Sequence, residues 1–252
     1  MKFDIERDYL ALDFDGVVAN SVLECLVAAN NAYSEYSGGR KTYDLSELDP
    51  ALIAEFTRLR NFIRAGADFV YIVKSISENM IIGNQQEFDD YTKKYKDLQA
   101  DFFDLFYRER ELFSTSMPDI WIGLNPLYEG MKGFLDNYPY KDRLFIITTK
   151  KIFFVKKILL YHNIQLNQDN LFTANGKKTK KDIILRLVQK YNIYPHQFWF
   201  IDDQVDTLLK VKDTRIQCLL AEWGYNEKQQ INRGNKEKIS VITLKDFRNM
   251  FG

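Results

Sequence analysis

Tyr9-Leu10-Ala11-Leu12-Asp13-Phe14-Asp15-Gly16-Val17-Val18 is the stretch that decides the fold of this chain. A short apolar run that stops at a polar turn predicts a buried strand of a parallel sheet. Asp13 and Asp15 flank Phe14 at its carboxyl end, and a spacing of two in extended chain points both carboxylates the same way. One of them could attack an electrophile while the other moves protons. The same pair also suits a solvated acidic turn.

Downstream, the pattern changes to helical spacing from about 21 to 113, a stretch with few glycines, many aromatics and one proline, Pro50. Helices are expected over 22–36, 50–65, 68–80 and 86–113, divided at Ser37-Gly38-Gly39, Gly66 and Gly83-Asn84. The stretch 114–125 holds Pro118 and Gly123 without clear periodicity and reads as a return crossing, after which Pro126 opens a helix to about 137. Strands expected at 144–148, 198–201 and 217–221 then alternate with helices at 153–162, 182–191 and 206–212, and a strand at Val241-Ile242 and a helix over 244–251 close the chain. The class is therefore α/β, a Rossmann-like parallel sheet with helices on both faces, plus an inserted all-helical domain. The catalytic core is expected to be 1–20 with 125–252, and the insertion 21–124. It leaves the carboxyl end of the first strand, where open parallel sheets bind ligands, and is expected to act as a cap over the site.

Composition narrows the partners. The 252 residues are 46% hydrophobic, enough to bury a sizeable core. Lys plus Arg and Asp plus Glu number 35 each, so the net charge is zero and the basic footprint of a general nucleic-acid binder is missing. Cys25 and Cys218 are too few for a disulfide framework or a thiolate zinc cluster and read as packed thiols in a reducing compartment. Lys2, Asp4, Glu6, Arg7 and Asp8 interrupt any secretory apolar region, and the most apolar windows are strand-length, so a cytoplasmic protein with no membrane role is expected.

Three further features sit at strand ends. In Ile146-Ile147-Thr148-Thr149 the hydroxyls could hydrogen-bond a phosphoryl oxygen, although threonine in a strand is more often packing. The run Lys177-Lys178-Thr179-Lys180-Lys181 reads as a solvated face, or as a face from which one lysine turns inward to neutralise an anion. In Phe198-Trp199-Phe200-Ile201-Asp202-Asp203 a second apolar strand ends in paired carboxylates. Carboxylates brought together are costly unless a cation binds between them. Oxygen donors with no nearby His or Cys suit a hard ion such as Mg²⁺.

These four features, in this order, resemble the haloacid dehalogenase superfamily of phosphohydrolases, and the helical insertion looks like the cap of its phosphoglycolate phosphatase-like subgroup. The resemblance implies a Mg²⁺-dependent phosphatase of a small phosphorylated metabolite, working through an aspartyl phosphate. By that resemblance Asp13 is the nucleophile, Asp15 the general acid and base, and Thr148 the hydroxyl of the second motif. Lys178 is taken as the lysine of the third motif by its spacing to Asp203, with Lys177 as the alternative and Lys180 and Lys181 expected to face solvent. Asp203 is implied as a direct metal ligand, Asp202 as its water-mediated partner, and Asp13 and the Asp15 backbone carbonyl complete the metal set. The family often has an acid four positions after the ligand. That position is Thr207 here, which leaves Asp206 as the nearest acid.

A phosphomutase shares the implied intermediate, and a catalytically silent binding protein shares the fold, so both remain alternatives. Dehalogenase chemistry needs neither the acid at Asp15 nor Mg²⁺. His162 and His196 read as residues that cap or flank helices, Trp223-Gly224-Tyr225-Asn226 as a loop at the rim of the site, and Arg58, Arg60 and Arg64 as a solvated helix face that could reach an anion.

Overall fold

The opening apolar run forms β1 (Tyr9–Leu12) at the centre of a parallel sheet in the computed structural model, which describes residues 2–251. The other strands are β2 (Leu144–Thr148), β3 (Leu171–Thr173), β4 (Phe198–Asp202), β5 (Gln217–Ala221) and β6 (Ser240–Ile242). Among the described residues their order is β3-β2-β1-β4-β5-β6, and every pairing is parallel. The chain builds outward from β1 to β3, then crosses to the other side of β1 for β4 to β6. That reversal makes the carboxyl edge of β1 and β4 a topological switch point, the place where such sheets bind ligands.

Register carries this to single residues. Leu12 pairs with Ile201 and with Ile146, so Asp13, just past the end of β1, lies beside Asp202, the last residue of β4, and Thr148, the last residue of β2, comes to the same edge.

Alternation along the strands gives the sheet two buried faces. Ala11, Phe145, Ile147, Phe198 and Phe200 form one core with Ile183, Ile184, Leu187, Val205 and Leu208. On the other face the Trp199 ring meets Phe3 and Phe251 edge-on at 5.7 and 6.1 Å, and its indole N–H donates to Asp8 at 2.9 Å.

The chain divides into two compact units, 1–20 with 127–252, and 21–126. Unit 21–126 is helical: α1 (Val22–Ser37), α2 (Pro50–Leu59), α3 (Gly66–Ser77), α4 (Gln85–Lys94), α5 (Gln99–Ser116) and α6 (Pro118–Gly123). The sheet unit carries α7 (Met131–Asn137), α8 (Ile152–Tyr161), α9 (Lys180–Lys190), α10 (Val205–Lys212), α11 (Lys228–Lys236) and α12 (Leu244–Phe251).

The details correct several expectations. The single helix expected over 86–113 breaks at Tyr95, whose carbonyl accepts the Tyr71 hydroxyl at 2.7 Å while Lys74 lies 4.0 Å above its ring, so contacts with α3 turn the chain there. The expected crossing at 114–125 is mostly the end of α5 and all of α6, which Pro118 opens at a position where its missing N–H costs nothing. Pro126 does not open a helix. Instead Leu127 bridges Ala19 and the Tyr128 N–H donates to Val18 at 3.0 Å, which postpones α7 to Met131.

The helical unit is tied by aromatic stacking, with Phe69 on Phe106 at 4.8 Å, and by a fully buried ion pair. Arg110 donates twice to Glu24, at 2.8 and 2.5 Å, and its guanidinium lies 5.4 Å above the Phe106 ring. Such a pair contributes little over apolar packing, but removing one partner strands a buried charge. Glu24→Ala is therefore expected to lower stability by about 3–5 kcal/mol in urea unfolding, and Glu24→Gln by less. A loss below about 1 kcal/mol for Glu24→Ala would show that Arg110 finds another partner or reaches water.

Candidate active site

Asp13 is the first residue beyond β1, its N–H donating to Ile201 of β4 at 2.9 Å and its Oδ1 accepting the Phe14 N–H at 2.7 Å. Only 6% exposed, it has Lys180 Nζ 2.8 Å from its Oδ2, and the same ammonium lies 2.7 Å from Oδ2 of Asp202 at the end of β4. The other oxygen of Asp202 accepts the Gln204 N–H at 2.8 Å. Lys180 thus bridges the carboxylates of two adjacent strands.

Burial pushes the Asp13 carboxyl up to about 6, Lys180 opposing and the charges of Asp202 and Asp15 reinforcing the shift. Burial alone would pull the Lys180 ammonium down, but Asp13 and Asp202 outweigh it and hold it above its ordinary value. One lysine is not enough charge for its neighbours. Asp203, 1% exposed, adds a third carboxylate, and oxygens of Asp13, Asp202 and Asp203 lie within 4.8 Å of one another. Three buried carboxylates against one ammonium, with oxygen as the donor atom, suit a hard divalent cation.

Two glycines shape the cradle around Asp203. Gly16 lies at φ +91°, and a Cβ there would fall 2.3 Å from Asp203 Oδ2. A Cβ on Gly224 would fall 2.3 Å from Asp203 Cβ and 2.5 Å from the Gly16 carbonyl. The loop expected at the rim is held against these groups. The Tyr225 N–H donates to Asp203 Oδ2 at 2.8 Å, the Trp223 indole donates to the Val17 carbonyl at 3.1 Å, and Tyr225 reaches Asn20 at 3.2 Å.

No family model matches the chain. Its sequence is 25% identical over 239 residues to phosphoglycolate phosphatase of Psychrobacter arcticus, covering 92% of this chain and 90% of that protein. A haloacid dehalogenase-like hydrolase from Streptococcus pneumoniae superposes with a TM-score of 0.63 at 17% identity, over 96% of this chain and 95% of that one. A predicted phosphoglycolate phosphatase from Haemophilus somnus gives 0.60 at 14%, over 93% and 92%. The chain has the fold of haloacid dehalogenase-like proteins.

Within this haloacid dehalogenase-like fold the structure brings Asp13, Asp202, Asp203 and Thr148 to one edge of the sheet. Thr148, 1% exposed, accepts the Lys150 N–H on its hydroxyl at 3.1 Å. Lys178 is not among them, which corrects the choice made by spacing. Its ammonium lies 5.6 Å from the centre of the Phe172 ring, and its backbone is engaged with Asn175 in a turn. The cause is the start of α9. Thr179 and Asp182 form a capping box, the Thr179 hydroxyl accepting the Asp182 N–H at 3.2 Å and the Asp182 carboxylate accepting the Thr179 N–H at 2.9 Å. Lys180 becomes the first helical residue and turns inward, while Lys178 stays on the outer side of the cap and Lys177 is exposed.

Asp206 is likewise outside the carboxylate group. It pairs with Arg233 of α11 at 2.5 Å. Arg60 is buried with its guanidinium 5.1 Å above Phe69 rather than lying on a solvated face. A residue that spacing did not single out is Lys150. Its side chain is fully buried, and its ammonium lies 3.0 and 3.3 Å from the two oxygens of Asp15. The signal available for it was a lysine directly behind the hydroxyls that close β2.

Proposed function

We propose that the protein is a phosphomonoesterase of small phosphorylated metabolites that requires Mg²⁺ and works through an aspartyl phosphate on Asp13. The contact of Asp13 with Lys180 at the switch point carries this reading, since a carboxylate attacking a phosphoryl anion needs a fixed cation beside it. Asp13 attacks phosphorus through a carboxylate oxygen, the bond from phosphorus to the leaving oxygen breaks, and that oxygen takes the proton of the Asp15 carboxyl. Water then attacks the acyl phosphate, giving its proton to Asp15 as the bond from Asp13 to phosphorus breaks. The Thr148 hydroxyl, which accepts the Lys150 N–H, can donate its own proton to a phosphoryl oxygen. Asp13, Asp202, Asp203 and the Asp15 carbonyl would hold Mg²⁺. The bound ion supplies charge stabilisation for the phosphoryl oxygens.

The test is phosphate release from a panel of phosphorylated metabolites with and without Mg²⁺, with 2-phosphoglycolate included because the curated relative is named for it. Free phosphate from at least one member supports the reading. An isomerised hexose phosphate would move it to a mutase, and no turnover of any member would leave a binding protein. Asp203→Ala is expected to weaken Mg²⁺ binding about tenfold or more in calorimetry, since loss of outer partners alone costs that much at metal sites. Unchanged affinity would place the ion elsewhere.

A further inference from the structure

We propose that Lys150 is a positioning residue that holds the Asp15 carboxylate in place for proton transfer to the leaving group. The inference rests on the reading of Asp15 as the general acid and base.

Lys150 is an unusual lysine. It is 2% exposed, its side chain has no exposed area, and a buried ammonium is costly unless a fixed anion answers it. It also lies two residues before α8, whose amino-terminal end carries the positive pole of the helix dipole and disfavours a cation. Helix electrostatics and solvation therefore both work against a lysine at this position. The answering anion is Asp15, whose two oxygens lie 3.0 and 3.3 Å from Nζ, so that the ammonium spans the carboxylate.

The backbone beneath this contact is fixed on both sides. The Lys150 N–H donates to the Thr148 hydroxyl at 3.1 Å, and its carbonyl accepts the Thr173 hydroxyl at 3.2 Å. The same Thr173 oxygen accepts the Ile152 N–H at 3.2 Å, which ties β3 to the start of α8. Lys150 is thus anchored to β2 and β3, while Asp15 lies in the turn after β1 and is 15% exposed on its side chain. An immobile cation under a more exposed carboxylate is an arrangement that fixes the carboxylate. Proton transfer needs a donor within hydrogen-bond reach of the departing oxygen, and a misplaced donor loses most of its value.

The consequence is selective. Alkyl phosphates need a proton on the leaving oxygen, whereas p-nitrophenolate departs as a stable anion. Lys150→Met should lower the first-turnover rate on an alkyl phosphate about 100-fold, in the range of a general acid's contribution, and lower the p-nitrophenol burst by less than about tenfold. Asp15→Asn should show the same split, and adding Lys150→Met to it should cause little further loss, because two residues acting as a unit are not additive. Circular dichroism and thermal unfolding check that the variants are folded. Lys150→Gln, which keeps a stem and a donor, stands in if Lys150→Met does not fold and should show a smaller split of the same sign.

Equal losses on both substrates, adding to those of Asp15→Asn, would overturn the proposal and make Lys150 a direct phosphate contact or a support of the fold. If Asp15→Asn shows the split and the Lys150 variants do not, the positioning role fails while the acid assignment stands. If Asp15→Asn itself shows no split, the acid assignment fails.

Discussion

Asp13→Asn is expected to reduce phosphate release about a thousandfold or more while leaving the protein folded. The amide is nearly isosteric and can still face Lys180, but it is a poor nucleophile and cannot form an acyl phosphate. The same substitution has an opposite expected effect on stability. The folded-state value of Asp13 is raised from 3.8 to about 6 in the metal-free protein, so the folded state binds its proton more tightly than the unfolded chain does. Below the unfolded value the carboxyl is neutral in both states and costs nothing. As pH rises from about 4 to 6 the folded state must ionise a buried group, and stability falls by an amount of order 1–3 kcal/mol. Asp13→Asn removes that cost, so in chelator at pH 7.5 it should melt no lower than the unaltered protein, and the difference should vanish near pH 4. Near-normal turnover in Asp13→Asn would remove the nucleophile. A variant that melts well below the parent at every pH would show Asp13 to be a structural carboxylate.

Opposed effects on rate and stability are what a site assembled for charge should give, since local rules are broken where function requires it. The same contrast explains what the sequence made legible. Asp13, Asp202 and Asp203 could be placed because apolar runs ending in acids define strand ends, and a parallel sheet brings strand ends together without further information. The helical character of 21–113 followed from its periodicity. Lys178 failed because spacing along a chain does not fix where a helix begins. The capping box of Thr179 and Asp182 does, and it shifts the inward lysine by two positions. The three-residue β3 is too short for alternation to register, and α11 contains one large apolar residue, Ile231, so periodicity had nothing to act on. Lys150 was hidden for another reason. Its importance comes from Asp15, 135 positions earlier in the chain, and only the pairing of β1 with β2 makes them neighbours.

Lys180→Ala is expected to be the most damaging change in the lysine run, with Lys178→Ala and Lys177→Ala within about twofold of the parent. Lys180 is 8% exposed and lies within 2.8 Å of two carboxylates, whereas Lys178 faces an aromatic ring. Removing the shared ammonium leaves Asp13 and Asp202 side by side, and a phosphoryl dianion would then approach uncompensated negative charge. Loss of a preorganised charged contact of this kind costs about 100- to 1000-fold in turnover. Stability should fall too, by about 3 kcal/mol or more, because breaking a buried pair from one side strands the other. The sign with pH distinguishes this from a packing defect. Without the lysine the Asp13 carboxyl is held higher still, so protonation relieves the repulsion, and the stability gap to the parent should narrow as pH falls from the alkaline side towards about 6, where the parent's own Asp13 takes up its proton. A gap that stays constant with pH would mean that the side chain matters for its volume alone. Retained turnover in Lys180→Ala together with its loss in Lys178→Ala would return the anion's counter-charge to the outer side of the Thr179 cap, and the geometry of the start of α9 would have to be different in solution.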